Sequence, residues 1–209
     1  MNTWQKYLRV IPGVLGALSC WWLAVTLARV WRTPLAVEHG RWVKLGVGIM
    51  VLEFILVHSG TMLPAMAASS KTLGRKPVLL VSALYACFGV AIALAFKSIM
   101  LICTFSGIMI PRWLGILFDS DQARAQQIKR SGMSVMLYVG VVFLTVFVPF
   151  PAGGLTGEVL NRVYPDRGRG IWEQSPQQAL VAGIIYFGAL GLMEVITALR
   201  QGPANDSSA

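Results

Sequence analysis

The stretch Leu45–Ala67, LGVGIMVLEFILVHSGTMLPAMA, runs for 23 residues with only two ionisable side chains, Glu53 and His58. A helix needs about 20 mostly apolar residues to cross the hydrocarbon of a bilayer, so this stretch reads as a membrane span. Pro64 is expected to kink or end it, because proline lacks the N–H that an interior helical position donates.

The same pattern recurs on both sides. Val10–Ala28 carries no charge and is bracketed by Lys6, Arg9, Arg29 and Arg32. A basic start followed by an apolar run also suits a signal peptide. The length of the run, its two basic flanks and the further spans favour a retained first helix. Val78–Phe96 follows a basic approach (Lys71, Arg75, Lys76), and Lys97 alone separates it from Ser98–Phe118, the weakest span, which Pro111 and Arg112 interrupt. Met133–Phe150 ends at a Pro-Phe-Pro, and Gln177–Leu199 contains Glu194 and is closed by Arg200. The expected fold is therefore all-α: a polytopic transmembrane helix bundle of about six spans (10–28, 45–67, 78–96, 98–118, 133–150 and 177–199) within one domain covering 1–200, with residues 201–209 as a disordered tail.

The totals agree. Of the 209 residues 56% are hydrophobic and 13% charged, about half the charge content typical of soluble domains. So few charges cannot cover a water-exposed surface. The net charge of +9 comes from Lys and Arg at the ends of apolar runs, where they hold spans in register with headgroups. No basic patch with interleaved aromatics is present, which argues against nucleic-acid binding. Cys20, Cys87 and Cys103 each lie inside an apolar run without C-x-x-C spacing, so they read as small buried hydrophobes, not as zinc ligands or a disulfide framework. Neither a metal nor another cofactor is expected, and two histidines are too few for a two-haem membrane cytochrome.

Two connections are long enough for structure of their own. Asp119–Arg130 has acids first and bases last, which suits the helix dipole, and Ser131-Gly132 reads as its stop. It is expected to be a short amphipathic surface helix or an extension of the fourth span. Pro151–Pro176, at 26 residues, is predicted to hold a short helix near Thr156–Val163. With six spans, ten Lys and Arg fall on the N-terminal side and eight on the other. The positive-inside rule then leans towards cytoplasmic termini in a bacterial inner membrane.

Few residues need a reason beyond solubility in lipid. Glu53 sits in mid-span, where a charge costs about 2.5–3.5 kcal/mol on insertion scales, so it should face the protein interior. His58, five residues on, diverges from it by about 140° on a straight helix. With Ser59 it can line a vestibule. Glu194 lies near a helix end, with Arg112 or Lys97 as candidate partners. Glu53, His58, Ser59 and Glu194 are the candidate substrate or ion path. Arg167 and Arg169, in a glycine-rich loop, and Arg112 are candidate contacts for an anion or a lipid headgroup. Small residues four apart, such as Gly13/Ala17 and Ala179/Gly183, permit close helix approach. No H-E-x-x-H, Walker, G-x-G-x-x-G or G-x-S-x-G signature occurs, so no catalytic residue is assigned. Three functions fit: a small transporter or channel using Glu53, an accessory or scaffold subunit of a larger membrane complex, and an intramembrane lipid-modifying enzyme. Beyond the bilayer, a membrane-protein partner or a homo-oligomer is the expected association.

Overall fold

A computed structural model describes the backbone of residues 3–73, 76–118 and 121–200. The tail 201–209 lies outside the described residues, as do the side chains before Val14 and that of Arg112. Among the described residues the chain is all-helical: α1 (Thr3–Arg32), α2 (Arg41–Leu73), α3 (Lys76–Ala95), α4 (Ile99–Phe118), α5 (Asp121–Phe147), the short α6 (Gly157–Val163) and α7 (Ile171–Gln174), and α8 (Pro176–Arg200). Two single-turn 3-10 segments, Pro34–Ala36 and Glu38–Gly40, join α1 to α2.

Five apolar stretches are long enough to cross a membrane: Val14–Arg32, Glu38–Ala68, Lys76–Ala95, Gln127–Phe147 and Pro176–Leu199. Within α4 the stretch Ile99–Ile110 is apolar but shorter among the described residues. These helices make a membrane location the natural reading of the chain. In most cases the helices outrun the expected windows, because backbone hydrogen bonding continues into polar flanks that hydropathy does not count.

Helix α2 is the hub. Gly46 on α2 lies against Leu180 of α8 and Leu27 of α1, and Gly48, two residues on and on nearly the opposite side of the helix, lies against Phe96 and Leu101 beside the α3–α4 turn. A methyl group at either glycine would meet these side chains at 3.0 Å or less. Helices α1 and α8 run antiparallel: Leu27 packs on Gly183 and Trp21 on Gly191. Ala17, Ala24, Ala179 and Ala182 are buried along this group of helices, as the small-residue spacing anticipates. One core unites α1, α2, α5 and α8. A second unites α2, α3 and α4, where the Phe105 ring fills the space over Gly89.

Three expectations are corrected. Helix α2 does not end at Pro64 but continues to Leu73, whereas α4 runs through Pro111 as the expected 98–118 span requires. Neighbouring helices hold a proline-containing helix together in a bundle. Ser131-Gly132 is no stop either: Asp121–Phe147 is one helix, so the polar segment is the first turns of α5. Cys87 and Cys103 are exposed on the outer surface, where lipid satisfies an apolar thiol as well as a core does.

The connection after α5 closes one end of the bundle, here called the loop end. The Trp31 indole N–H donates to the Pro151 carbonyl (3.0 Å), and Gly154 N–H donates to the Trp31 carbonyl (2.8 Å). Gly153 has φ +63°, and an added Cβ would lie 2.5 Å from the Trp31 carbonyl oxygen, so only glycine fits there. The expected short helix forms as α6, capped by the Thr156 hydroxyl. Leu155, Leu160 and Tyr164 are buried beneath it. Lys44 pairs with Asp166 (2.9 Å) and lies 5.5 Å from the Tyr164 ring centroid. The Lys44 ammonium holds the Asp166 carboxyl below its ordinary value. Burial, with the Glu173 carboxylate beside it, pushes the Tyr164 phenol up to about 12.

Candidate functional site

A polar cavity of about 250 Å³ lies between α2, α5 and α8. Each helix contributes one face at helical spacing: Glu53 and Val57 from α2, Gln127, Arg130, Ser131 and Ser134 from α5, and Tyr186, Leu190 and Glu194 from α8. These residues share a wall because α2 and α8 run parallel, with Met50 against Gly183, while α5 crosses them in the opposite sense.

At the inner end of the cavity the half-buried Glu53 accepts a hydrogen bond from the Tyr186 hydroxyl, 2.8 Å. The Tyr186 ring is fully buried and held edge-on by Tyr138 (centroids 5.5 Å) and Phe187 (5.0 Å). Tyr138 is itself fixed, donating its hydroxyl to the Met50 carbonyl at 2.7 Å. Two tyrosines therefore set the position of one carboxylate. Tyr186 is not its only contact.

Towards the opposite end, Arg130 forms an ion pair with Glu194. Gly16 of α1 lies beside the pair, where an added methyl group would sit in ordinary van der Waals contact with the Glu194 side chain, at 3.9 Å. The Arg130 side chain is 59% exposed and that of Glu194 is 18% exposed, so the pair marks the mouth of the cavity. Arg130 takes the place expected of Lys97. Lys97 stands at the loop end, the wrong end of the bundle for Glu194, and the Arg112 side chain lies outside the described residues.

Of the four path candidates, the structure brings Glu53 and Glu194 to one cavity and turns the other two away. His58 Nδ1 lies 2.7 Å from the Phe54 carbonyl, and its ring packs on Phe54 (4.2 Å). Ser59 is buried on the α4 side, donating to the Leu56 carbonyl (2.9 Å) beside the Met109 sulfur (3.2 Å). At the loop end, Arg167 donates to Asn161 Oδ1 (2.8 Å) and Arg169 is exposed. Among the described residues no group of three His, Cys, Asp or Glu has metal-binding geometry.

Gln127, Arg130, Ser131, Ser134 and Tyr186 were missed by sequence reasoning. A signal was present: on α5 they follow an i, i+3/i+4, i+7 stripe, and Tyr186, Leu190 and Glu194 repeat every four residues. An expected helix stop at Ser131-Gly132 hid the first stripe. No protein-family model, curated protein or solved structure matches the chain.

Proposed function

We propose that this chain is a multi-pass membrane protein that conducts protons or a small cation along the cavity between α2, α5 and α8, with Glu53 as the binding carboxylate. The observation that carries the reading is the Glu53–Tyr186 hydrogen bond at the inner end of a polar cavity in an otherwise apolar bundle. A mid-span acid is costly unless it faces such a cavity, and acids placed this way serve as ion ligands or proton relays. Arg130 and Glu194 at the mouth then select what enters, and Ser131 and Ser134 supply hydroxyls along the way. The six-crossing topology, with the starts of α1 and α5 and the end of α8 on one face, belongs to the same proposal.

The test is flux. Proteoliposomes containing the chain and a pH-reporting dye are given an imposed potential. Glu53→Gln keeps the size and hydrogen bonding of the side chain and removes its charge. Flux in the native chain that disappears in a folded Glu53→Gln variant supports the reading. Equal flux in both removes Glu53 from any path.

A second reading is that of an accessory subunit or homo-oligomer. The outer face of α3 favours it: Leu79, Leu80 and Leu94 are 65–73% exposed and available to lipid or to a partner helix. Co-purification with a partner at fixed stoichiometry in mild detergent, without flux from the isolated chain, is its signature.

A further inference from the structure

Helix direction fixes the order of stations along the polar cavity. Tyr186, Leu190 and Glu194 follow one another outward along α8, and Glu53 and Val57 do so along α2, which runs parallel to it. Glu194 stands eight residues, about 12 Å of helix, beyond Tyr186. Exposure rises along that order, from none at Tyr186 to 18% at the Glu194 side chain and 59% at that of Arg130. A cation moving from the mouth towards Glu53 therefore meets Arg130 and Glu194 first. The two sit on different walls, Arg130 on α5 and Glu194 on α8, so their ion pair joins the walls across the entrance.

The pair is held by one bond. Arg130 Nη2 donates to Glu194 Oε2, and neither side chain makes another hydrogen bond among the described residues. A guanidinium carries five donors in a rigid fork, and a locked bridge to a carboxylate uses two of them in parallel. An exposed pair with one such bond biases an equilibrium by about fivefold at most. Arg130, the more exposed partner, thus leaves at little cost, while Glu194 stays sheltered on α8. The charge at the entrance then changes sign. Paired, the guanidinium neutralises the carboxylate and stands in the way of an incoming cation. Released, it moves outward and the Glu194 carboxylate faces that cation.

We propose that this pair is a latch on the cavity: shut to cations while Arg130 holds Glu194, and open when Arg130 swings out and leaves the Glu194 carboxylate as the first station for a cation. The inference rests on reading the cavity as a cation path, and it adds that the chain's own guanidinium closes that path. A mere staple between α5 and α8 would contribute to stability and leave access unchanged.

The test reads access and not flux. In the full chain in dodecylmaltoside, Cys20, Cys87 and Cys103 are replaced by Ala, and Leu190→Cys places a thiol one turn inside Glu194. Its modification rate is measured with cationic aminoethyl methanethiosulfonate and with neutral methyl methanethiosulfonate. Arg130→Gln is expected to raise the cationic rate about two- to fivefold and the neutral rate by less. Arg130→Lys, which keeps the charge, stays close to the native rate. Raising salt from about 0.1 to about 1 M shortens the screening length from about 10 to about 3 Å, and should speed the cationic reaction in the native chain but not in Arg130→Gln. Equal cationic rates in the native and Arg130→Gln chains, or equal acceleration of both reagents, overturn the inference. Should Leu190→Cys fail to fold or to react, Ser134→Cys on the α5 wall replaces it under the same expectations, and a folded Arg130→Gln chain in which neither thiol reacts also overturns it. Flux is scored separately: a latch in a chain that conducts nothing removes the ion-path reading alone, and flux with rates indifferent to Arg130 removes the latch alone.

Discussion

Removing the Tyr186 hydroxyl tests whether Glu53 is held in place or merely tolerated. Tyr186→Phe deletes one oxygen and leaves the ring between Tyr138 and Phe187. Tyr186 itself has no exposed surface, so its hydroxyl bonds to the protein and not to bulk water. A net hydrogen bond contributes about 1 kcal/mol, and about 1.5–3 when one partner is charged. Pairs inside membrane bundles average about 0.6 and reach about 1.7 kcal/mol. The full burial and 2.8 Å length place this pair in the upper part of that range, at about 1–2 kcal/mol. Because Glu53 makes other interactions, the single substitution is insufficient and a double-mutant cycle with Glu53→Leu is required. Leucine is chosen because glutamine would still accept from the phenol. Reversible unfolding in mixed dodecylmaltoside–SDS micelles, followed by far-UV circular dichroism, gives the four stabilities. A coupling at or below about 0.3 kcal/mol, the scatter of independent sites, refutes the reasoning.

The Asp166 carboxyl, held below its ordinary value by Lys44, contributes stability that is complete above the unfolded-state value and is lost as pH falls through the folded one. Protease sensitivity of the 151–175 connection should therefore rise on acidification in the native chain, and Asp166→Asn should be sensitive and pH-independent across the same acid range. Gly89→Ala sets a Cβ 2.6 Å from the Phe105 ring, and the overpacking should destabilise the chain by about 1–3 kcal/mol in the same micellar unfolding assay. Lys97 holds φ +49° in the turn between α3 and α4, where Ser98 N–H reaches the Ala93 carbonyl (3.0 Å) as in a glycine-terminated helix end. Lys97→Gly should raise stability by roughly 0.5–1 kcal/mol, read as a higher unfolding midpoint, and a lower midpoint contradicts that account.

Much of the architecture was legible because the bilayer demands it. Apolar runs of span length, Glu53 as a residue that must face inward, and the helix after Thr156 all follow from local chemistry. Which face of each helix meets protein was not legible. In water an apolar stripe marks the core, but lipid is as apolar as a core, and the stripe disappears. For that reason Cys87 and Cys103 read as buried, and nothing local marked Gly89 as the seat of Phe105. Ser131-Gly132 misled for a related reason. Its stop signal depends on solvent competing for backbone groups, and packing of α5 on α2 and α8 outweighs it. The pairing of Glu194 with Arg130 instead of Lys97 depends on which helix ends are neighbours, and one-dimensional spacing does not contain that.

Helix α2 has 33 residues and α5 has 27, lengths of about 50 and 40 Å against a hydrocarbon layer of about 30 Å. Both must tilt or protrude, and each ångström of mismatch costs a fraction of a kcal/mol. Arg130 lies only one turn inside the apolar stretch that begins at Gln127. A few ångströms of added bilayer thickness would immerse its ion pair with Glu194, and a thin bilayer would bathe it in water. On the proposed crossing, membrane thickness would thus act as a dial on the strength of the contact at the mouth of the cavity.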